Sequence, residues 1–157
     1  MNVGIFVHSQ SGYTAKVAQL LGAAFKERGD DTDTILLRTA GKVAPRSTSF
    51  EIRNPPETDG YDVVILGGPV WAFSASPVIM KYLGQLGRLT GKKVLCFVTK
   101  GLPFLWTGGT QALNAMHEKL ALSDATLLSG EIIWAPAHRS EAKLQPIIKR
   151  IVAACTA

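Results

Sequence analysis

Ser9-Gln10-Ser11-Gly12-Tyr13-Thr14 follows a short apolar run and leads directly into a helical pattern. Three small hydroxyl side chains and several backbone N–H groups at a helix N-terminus suit a phosphate dianion. The helix dipole favours negative charge there, and Gly12 lets the backbone curl around it. An ordinary helix cap accounts for the same residues, since Ser and Thr are common in that role. Other phosphate loops are excluded, because the chain has neither G-x-x-x-x-G-K-[ST] nor G-x-G-x-x-G. No Cys or Arg stands in this loop to serve a phosphatase, and His8 and Gly67 stand where a phospho-accepting receiver needs acidic residues. Cys96 and Cys155 are too few for a disulfide framework or a zinc site, and no two histidines have metal-ligand spacing. No metal and no catalytic residue are therefore assigned. His8 reads as a satisfied core or loop residue, His117 as a solvated helix residue, and His138 as a turn residue that could face the ligand end.

The elements that must hold such a loop are legible as alternating periods. Residues 3–8, 63–67 and 93–99 are apolar runs with the lengths of buried strands, 32–37 is β-branched and strand-like, and 125–134 reads as a last, glycine-interrupted strand. Val17, Leu20, Leu21, Ala24 and Phe25 mark one face of a helix that stops at Arg28-Gly29. Residues 77–86 read as a helix with Pro77 behind a Ser76 cap, and 109–122 and 140–155 as two more. Apolar strands joined by helices imply a parallel sheet covered on both faces, an α/β protein of three α/β/α layers. Residues 41–60, with Pro45, Pro55 and Pro56, show neither period and are either a functional loop or a degraded crossover helix.

Length and composition agree with that reading. The 157 residues fit a single domain over 1–157, and 46% hydrophobic against 18% charged residues excludes a disordered chain. The longest apolar run, 63–73, contains two Gly and a Pro and is far short of the roughly 20 residues of a membrane span. There is no basic leader or cleavage pattern, and cysteine is sparse, so a reducing cytoplasm is expected.

At SQSGYT the chain resembles the flavodoxin family, whose FMN-phosphate loop is usually Ser/Thr-x-Thr-G-x-Thr. DVVILGGPVWAF at 62–73 is similar to the family's third strand and following loop, and KKVLCFVTKG at 92–101 to its fourth strand and second flavin loop. The resemblance implies a flavodoxin-like five-stranded parallel sheet of order 2-1-3-4-5 and FMN as cofactor. It places Ser9, Gln10, Ser11, Gly12, Tyr13 and Thr14 at the phosphate. Pro69, Val70, Trp71, Ala72 and Phe73 would run along the isoalloxazine, with Trp71 stacked on it. Thr99, Lys100 and Gly101 would supply the other ring loop. Trp71 could equally be an aromatic that covers the sheet end, and Gly67-Gly68 either permits close approach or is a plain tight turn. The third loop departs from the family in lacking an acid and a Tyr. Phe104 or Trp106 could replace the second aromatic wall or pack under the loop. Lys100 is expected to point to solvent, with an approach to the flavin as the alternative.

Charge sharpens the departure. The net charge is +5, from 17 Lys+Arg and 12 Asp+Glu, and no acid lies between Asp62 and Glu118. Basic surroundings favour a reduced flavin anion, so a higher second-electron potential than in acidic flavodoxins is expected. The function implied is electron transfer to a redox partner protein or a small-molecule acceptor. The alternative is an NAD(P)H-dependent FMN reductase of quinones or flavins, for which the apolar 102–106 loop suits an acceptor pocket. A minor alternative is a non-enzymatic module binding an acidic partner or nucleic acid.

Overall fold

The computed structural model describes residues 1–104 and 107–157. Strand β1 (Asn2–Val7) lies at the centre of the sheet because its residues beyond Asn2 are apolar on both faces and wholly buried. It pairs in parallel with β2 (Asp31–Leu36) on one side and with β5 (Val63–Trp71) on the other, in register from Val3↔Val63 to Val7↔Gly67. Two-residue strands β3 (Arg38–Thr39) and β4 (Ile52–Arg53) form a separate antiparallel ladder. Beyond β5 come β6 (Ser74–Ala75), β7 (Lys93–Lys100), β8 (Thr126–Leu127) and β9 (Glu131–Trp134). β8 and β9 both pair in parallel with β7 and are the two halves of the glycine-interrupted last strand. The order β2-β1-β5-β7-β8 is the 2-1-3-4-5 order expected.

Helices α1 (Tyr13–Glu27) and α4 (Glu141–Thr156) cover one face, packing Val17, Leu21, Phe25, Ile147 and Ile151 onto Ile5, Ile65 and Leu95. Helices α2 (Pro77–Gln85) and α3 (Gly109–Lys119) cover the other, where Ile79, Tyr82 and Met116 meet Phe6, Leu66 and Val98. Each fully buried large apolar side chain contributes about 1.5–3 kcal/mol, and these two clusters supply the bulk of the folding drive. Ser76 caps α2 as its type predicts, its Oγ accepting from Ile79 N–H at 3.2 Å. Among the described residues no helix is long and apolar enough to cross a membrane.

Residues 41–60 contain no helix. The segment is a cover for the second face: Leu37 and Ile52 are buried there, and Val43 and Phe50 pack against them. Side chains from the helix beneath pin its backbone. Tyr82 OH donates to Pro56 O at 2.5 Å and Lys81 Nζ to Phe50 O with its charge over the Phe50 ring; just past the segment, Lys92 Nζ donates to Tyr61 O at 2.7 Å.

The chain turns to one side of β1 for β2 and then crosses to the other for β5. The switch point therefore lies beyond the carboxyl ends of β1 and β5, where open α/β sheets hold ligands. His8 N–H donates to Gly67 O across that seam at 3.0 Å. Gly67 has no room for a side chain, since a Cβ there would sit 2.2 Å from the Phe97 ring. Close approach, rather than a turn, is the reason for this glycine.

Candidate functional site

Three loops leave the carboxyl edge of the sheet side by side. The first, 8–12, ends on Gly12 at φ 95°, which caps α1 without any side-chain hydrogen bond. The first N–H groups of the helix are thus left facing the loop, with the positive end of its dipole. Ser9 Oγ is shielded from solvent and has no hydrogen-bond partner among the described residues. Gln10, Ser11 and Gly12 are exposed around it. The last two residues of the motif anchor it instead: Thr14 Oγ1 shares a 2.8 Å hydrogen bond with Thr99 Oγ1, and Tyr13 OH donates to His138 O at 2.8 Å. His138 therefore lies at this end of the molecule, as one reading of its turn allowed.

The second loop is a hairpin, which its sequence did not announce. β5 runs on to Trp71, reverses at Ala72-Phe73 and returns through β6, with Val70↔Ala75 and Trp71↔Ser74 paired. Both turn residues have positive φ, 48° and 65°, as a two-residue hairpin of this kind demands. Asn-Gly would meet that demand easily; Ala-Phe costs about 1–2 kcal/mol per residue. The surroundings hold the strain in place. Arg46 Nη2 donates to Ala72 O at 3.4 Å, and Gly108 lies directly against the Phe73 backbone. Trp71 is half-buried and turns toward the first loop, its ring 5.1 Å from the His8 imidazole in an edge-on arrangement at 80°.

His8 is buried with its Nδ1 2.9 Å from Ser76 Oγ, so one imidazole joins the first loop, Trp71 and the cap of α2. Burial lowers its pKa from 6.5 to about 4. Between those values the unfolded chain binds a proton that the folded chain refuses. The stability contributed is full above pH 6.5 and is lost as the pH falls to about 4. Allowing for partial solvation the loss amounts to about 2 kcal/mol. Urea unfolding on both sides of that window is expected to show it, and His8→Gln should flatten the curve; an unchanged slope in the variant would remove His8 as the cause.

The third loop closes an open cleft of about 500 Å³ against the hairpin, lined by Val70, Ala72, Phe73, Lys100, Leu102 and Thr107. Here an expectation is overturned. Lys100 does not point to solvent: it is 7% exposed, and its Nζ donates to Phe104 O at 2.8 Å and to Thr107 Oγ1 at 3.4 Å. Thr107 Oγ1 in turn donates to Phe104 O, the carbonyl that also receives the ammonium. The ammonium finds these acceptors because the loop folds back over it within seven residues. No carboxylate lies within ion-pair distance of Lys100 among the described residues. Gly101 O accepts from Trp134 Nε1 at 3.1 Å, which ties the loop to β9. Phe104 is 57% exposed at the loop's outer side; Trp106, the other candidate for an aromatic wall, lies outside the described residues. His117 also departs from its reading, since its Nε2 is shielded within the fold rather than solvated.

The structure thus brings Ser9–Thr14, Pro69–Phe73 and Thr99–Gly101 to one edge. Sequence reasoning found Ser76 as a helix cap but not its contact with His8, and it assigned no role to Thr107 and Gly108, whose partners are reached only through the folded backbone. No family model matches the chain, and no curated protein matches it by sequence. Solved structures do. Flavodoxin 2 from Bacillus cereus is 20% identical with a TM-score of 0.69, over 98% of this chain and 97% of that one. Flavodoxin 1 from the same organism is 17% identical with a TM-score of 0.66, over 96% and 94%. Rubredoxin oxygen:oxidoreductase from Desulfovibrio gigas is 16% identical with a TM-score of 0.63, over 98% of this chain but 35% of that one. With its strand order, its two covered faces and its three loops at the switch point, this chain has the flavodoxin fold.

Proposed function

We propose that the chain binds FMN at the carboxyl edge of its sheet and acts in electron transfer. The observation that carries this is the buried, unpartnered Ser9 Oγ beside the uncapped N-terminus of α1. A hydroxyl shielded from water without a partner costs about 1–3 kcal/mol, and a phosphate oxygen would satisfy it. The donor set fits the group: Ser9, Gln10, Ser11 and Gly12 would face the phosphate, with Tyr13 and Thr14 offering backbone N–H groups while their hydroxyls anchor the loop, and the cleft beside Pro69–Phe73 and Thr99–Gly101 would take the ring. The flavodoxins of similar fold support the choice of cofactor. When bound, FMN supplies the one- and two-electron chemistry, while the protein orients the ring, limits water and fixes the surrounding charge.

Titration of the purified protein with FMN is expected to yield a yellow complex. Ser9→Ala should weaken FMN about tenfold or more while leaving riboflavin unaffected, since a hydrogen bond to a charged group is worth about 1.5–3 kcal/mol. A protein that takes up no FMN would sink the proposal, and an equal loss for both flavins would remove Ser9 from the phosphate site. The apolar cleft wall at Val70, Phe73 and Leu102 also favours a second reading, an NAD(P)H-dependent reductase of quinones or flavins. Anaerobic addition of NADH or NADPH separates the two: rapid bleaching selects the reductase, and an inert flavin selects the carrier.

A further inference from the structure

The cations of this chain are not spread evenly over its surface. Arg38, Lys42, Arg46, Arg53, Arg139 and Lys143 are all exposed and stand in segments that leave the carboxyl edge of the sheet. Lys16 and Lys100 lie at the same edge, where Lys16 Nζ donates to Arg139 O. Between residues 37 and 53 and between 135 and 143 the carboxylates are Glu51, taken by Lys81, and Glu141; Glu57 and Asp59, further along, lie toward the opposite edge beside Asn2, Asp31 and Arg88. These eight cations and two carboxylates give the site edge a net charge of +6, and the remaining nine cations and ten carboxylates come to −1. The opposite edge carries both signs and pairs them, as Arg28 with Asp30 and Arg88 with Asp124.

Several of these cations sit where folding disfavours them. Arg38 and Arg53 are directly opposite each other in an antiparallel ladder, an arrangement that destabilises by repulsion. Lys16 and Lys143 lie in the first turns of α1 and α4, at the positive ends of the helix dipoles. None of the six exposed cations has a carboxylate within 4 Å among the described residues. Local rules broken together at one edge mark a functional surface. On the hairpin turn and the third loop of the same edge, Phe73, Leu102 and Phe104 are 48%, 54% and 57% exposed. An apolar centre within a charged rim is the anatomy of a protein interface. A nucleic acid would call for a continuous track of cations, and these apolar side chains offer a phosphate backbone nothing.

We infer that this edge docks an acidic redox protein, with the cations as a rim around the apolar mouth of the cleft. The inference deepens the electron-transfer reading and rests on it, but the docking can be read without the flavin. The experiment is a calorimetric titration of the protein, with FMN added, against two probes: an acidic plant-type ferredoxin and a basic cytochrome c. The ferredoxin is expected to bind at about 20 mM NaCl and to weaken at least tenfold by about 300 mM, as screening shortens the reach of exposed charges. The cytochrome should not bind. A triple variant, K42E with R139E and K143E, is expected to lose the ferredoxin and keep its melting temperature. Tighter binding of the cytochrome, or ferredoxin binding unchanged in the triple variant, would overturn the inference. So would micromolar binding of a DNA duplex that the triple variant abolishes, since the edge would then serve nucleic acid. A colourless protein that still binds ferredoxin with this salt dependence would fail the flavin reading alone; a yellow one that binds neither probe would fail the docking alone.

Discussion

Gly108→Ala is expected to destabilise the protein by about 3 kcal/mol or more and to loosen the cleft. Two costs act at this position. Its φ of 104° is one that side-chain-bearing residues rarely adopt, which costs about 1–2 kcal/mol. A Cβ would also lie 2.4 Å from Phe73 O and 2.5 Å from its C and Cα. The obstacle is backbone, not the end of a flexible side chain, so relief requires the hairpin or α3 to move. Both carry site residues, because Gly108 is the cap of α3 and Phe73 the second turn residue of the hairpin. For a chain of this length a loss of that size lowers the melting temperature by roughly 6–12 °C. Gly101→Ala is the control, since nothing lies within 4 Å of its Cβ position. Calorimetric melting that places Gly108→Ala within about 1 °C of the parent protein would show that the packing of hairpin on cap has been misread.

The parts of the fold legible in sequence are those in which local pattern and burial say the same thing. β1, β5 and β7 are buried on both faces, so continuous apolar runs were the correct signal, and the cap at Ser76 with Pro77 behind it marked α2. The loop between β1 and α1 was legible as a turn into a helix, because Ser, Gly and Thr suit that place. The hairpin was not, for Ala72-Phe73 carries none of the residues that usually adopt positive φ, and the conformation is imposed by Arg46 and Gly108 from elsewhere. The cover at 41–60 was illegible for a similar reason. Its shape comes from Tyr82 and Lys81, which hold backbone carbonyls roughly thirty residues away. Lys100 is the sharpest case: propensity and hydropathy send a lysine to water, and only the folded-back loop supplies the carbonyl and hydroxyl that let it stay inside.

On the proposed FMN reading, Lys100→Met is expected to leave the protein folded and able to take FMN while lowering the second-electron potential of the flavin. The ammonium forms part of the cleft wall and is held by two uncharged acceptors, with no carboxylate to neutralise it. Burying a cation without a counter-charge costs several kcal/mol, so an apolar side chain of similar length need not weaken the fold. What the cation offers is attraction for negative charge arriving in the cleft. At an effective dielectric near 20 that attraction is about 4 kcal/mol at 4 Å and falls with distance, so a loss of about 1.4 kcal/mol is a modest expectation. That is a tenfold change in preference for the reduced anion, or about 59 mV for a one-electron step. Affinity for sulfite, whose addition to oxidised flavin also leaves an anion in the ring, should fall in parallel. Lys100→Arg keeps the charge and should retain most of both properties, which separates charge from packing. If the methionine variant binds FMN, melts normally and keeps its potential within about 10 mV, the positive charge of Lys100 does not tune the flavin, and its role is to hold the third loop closed.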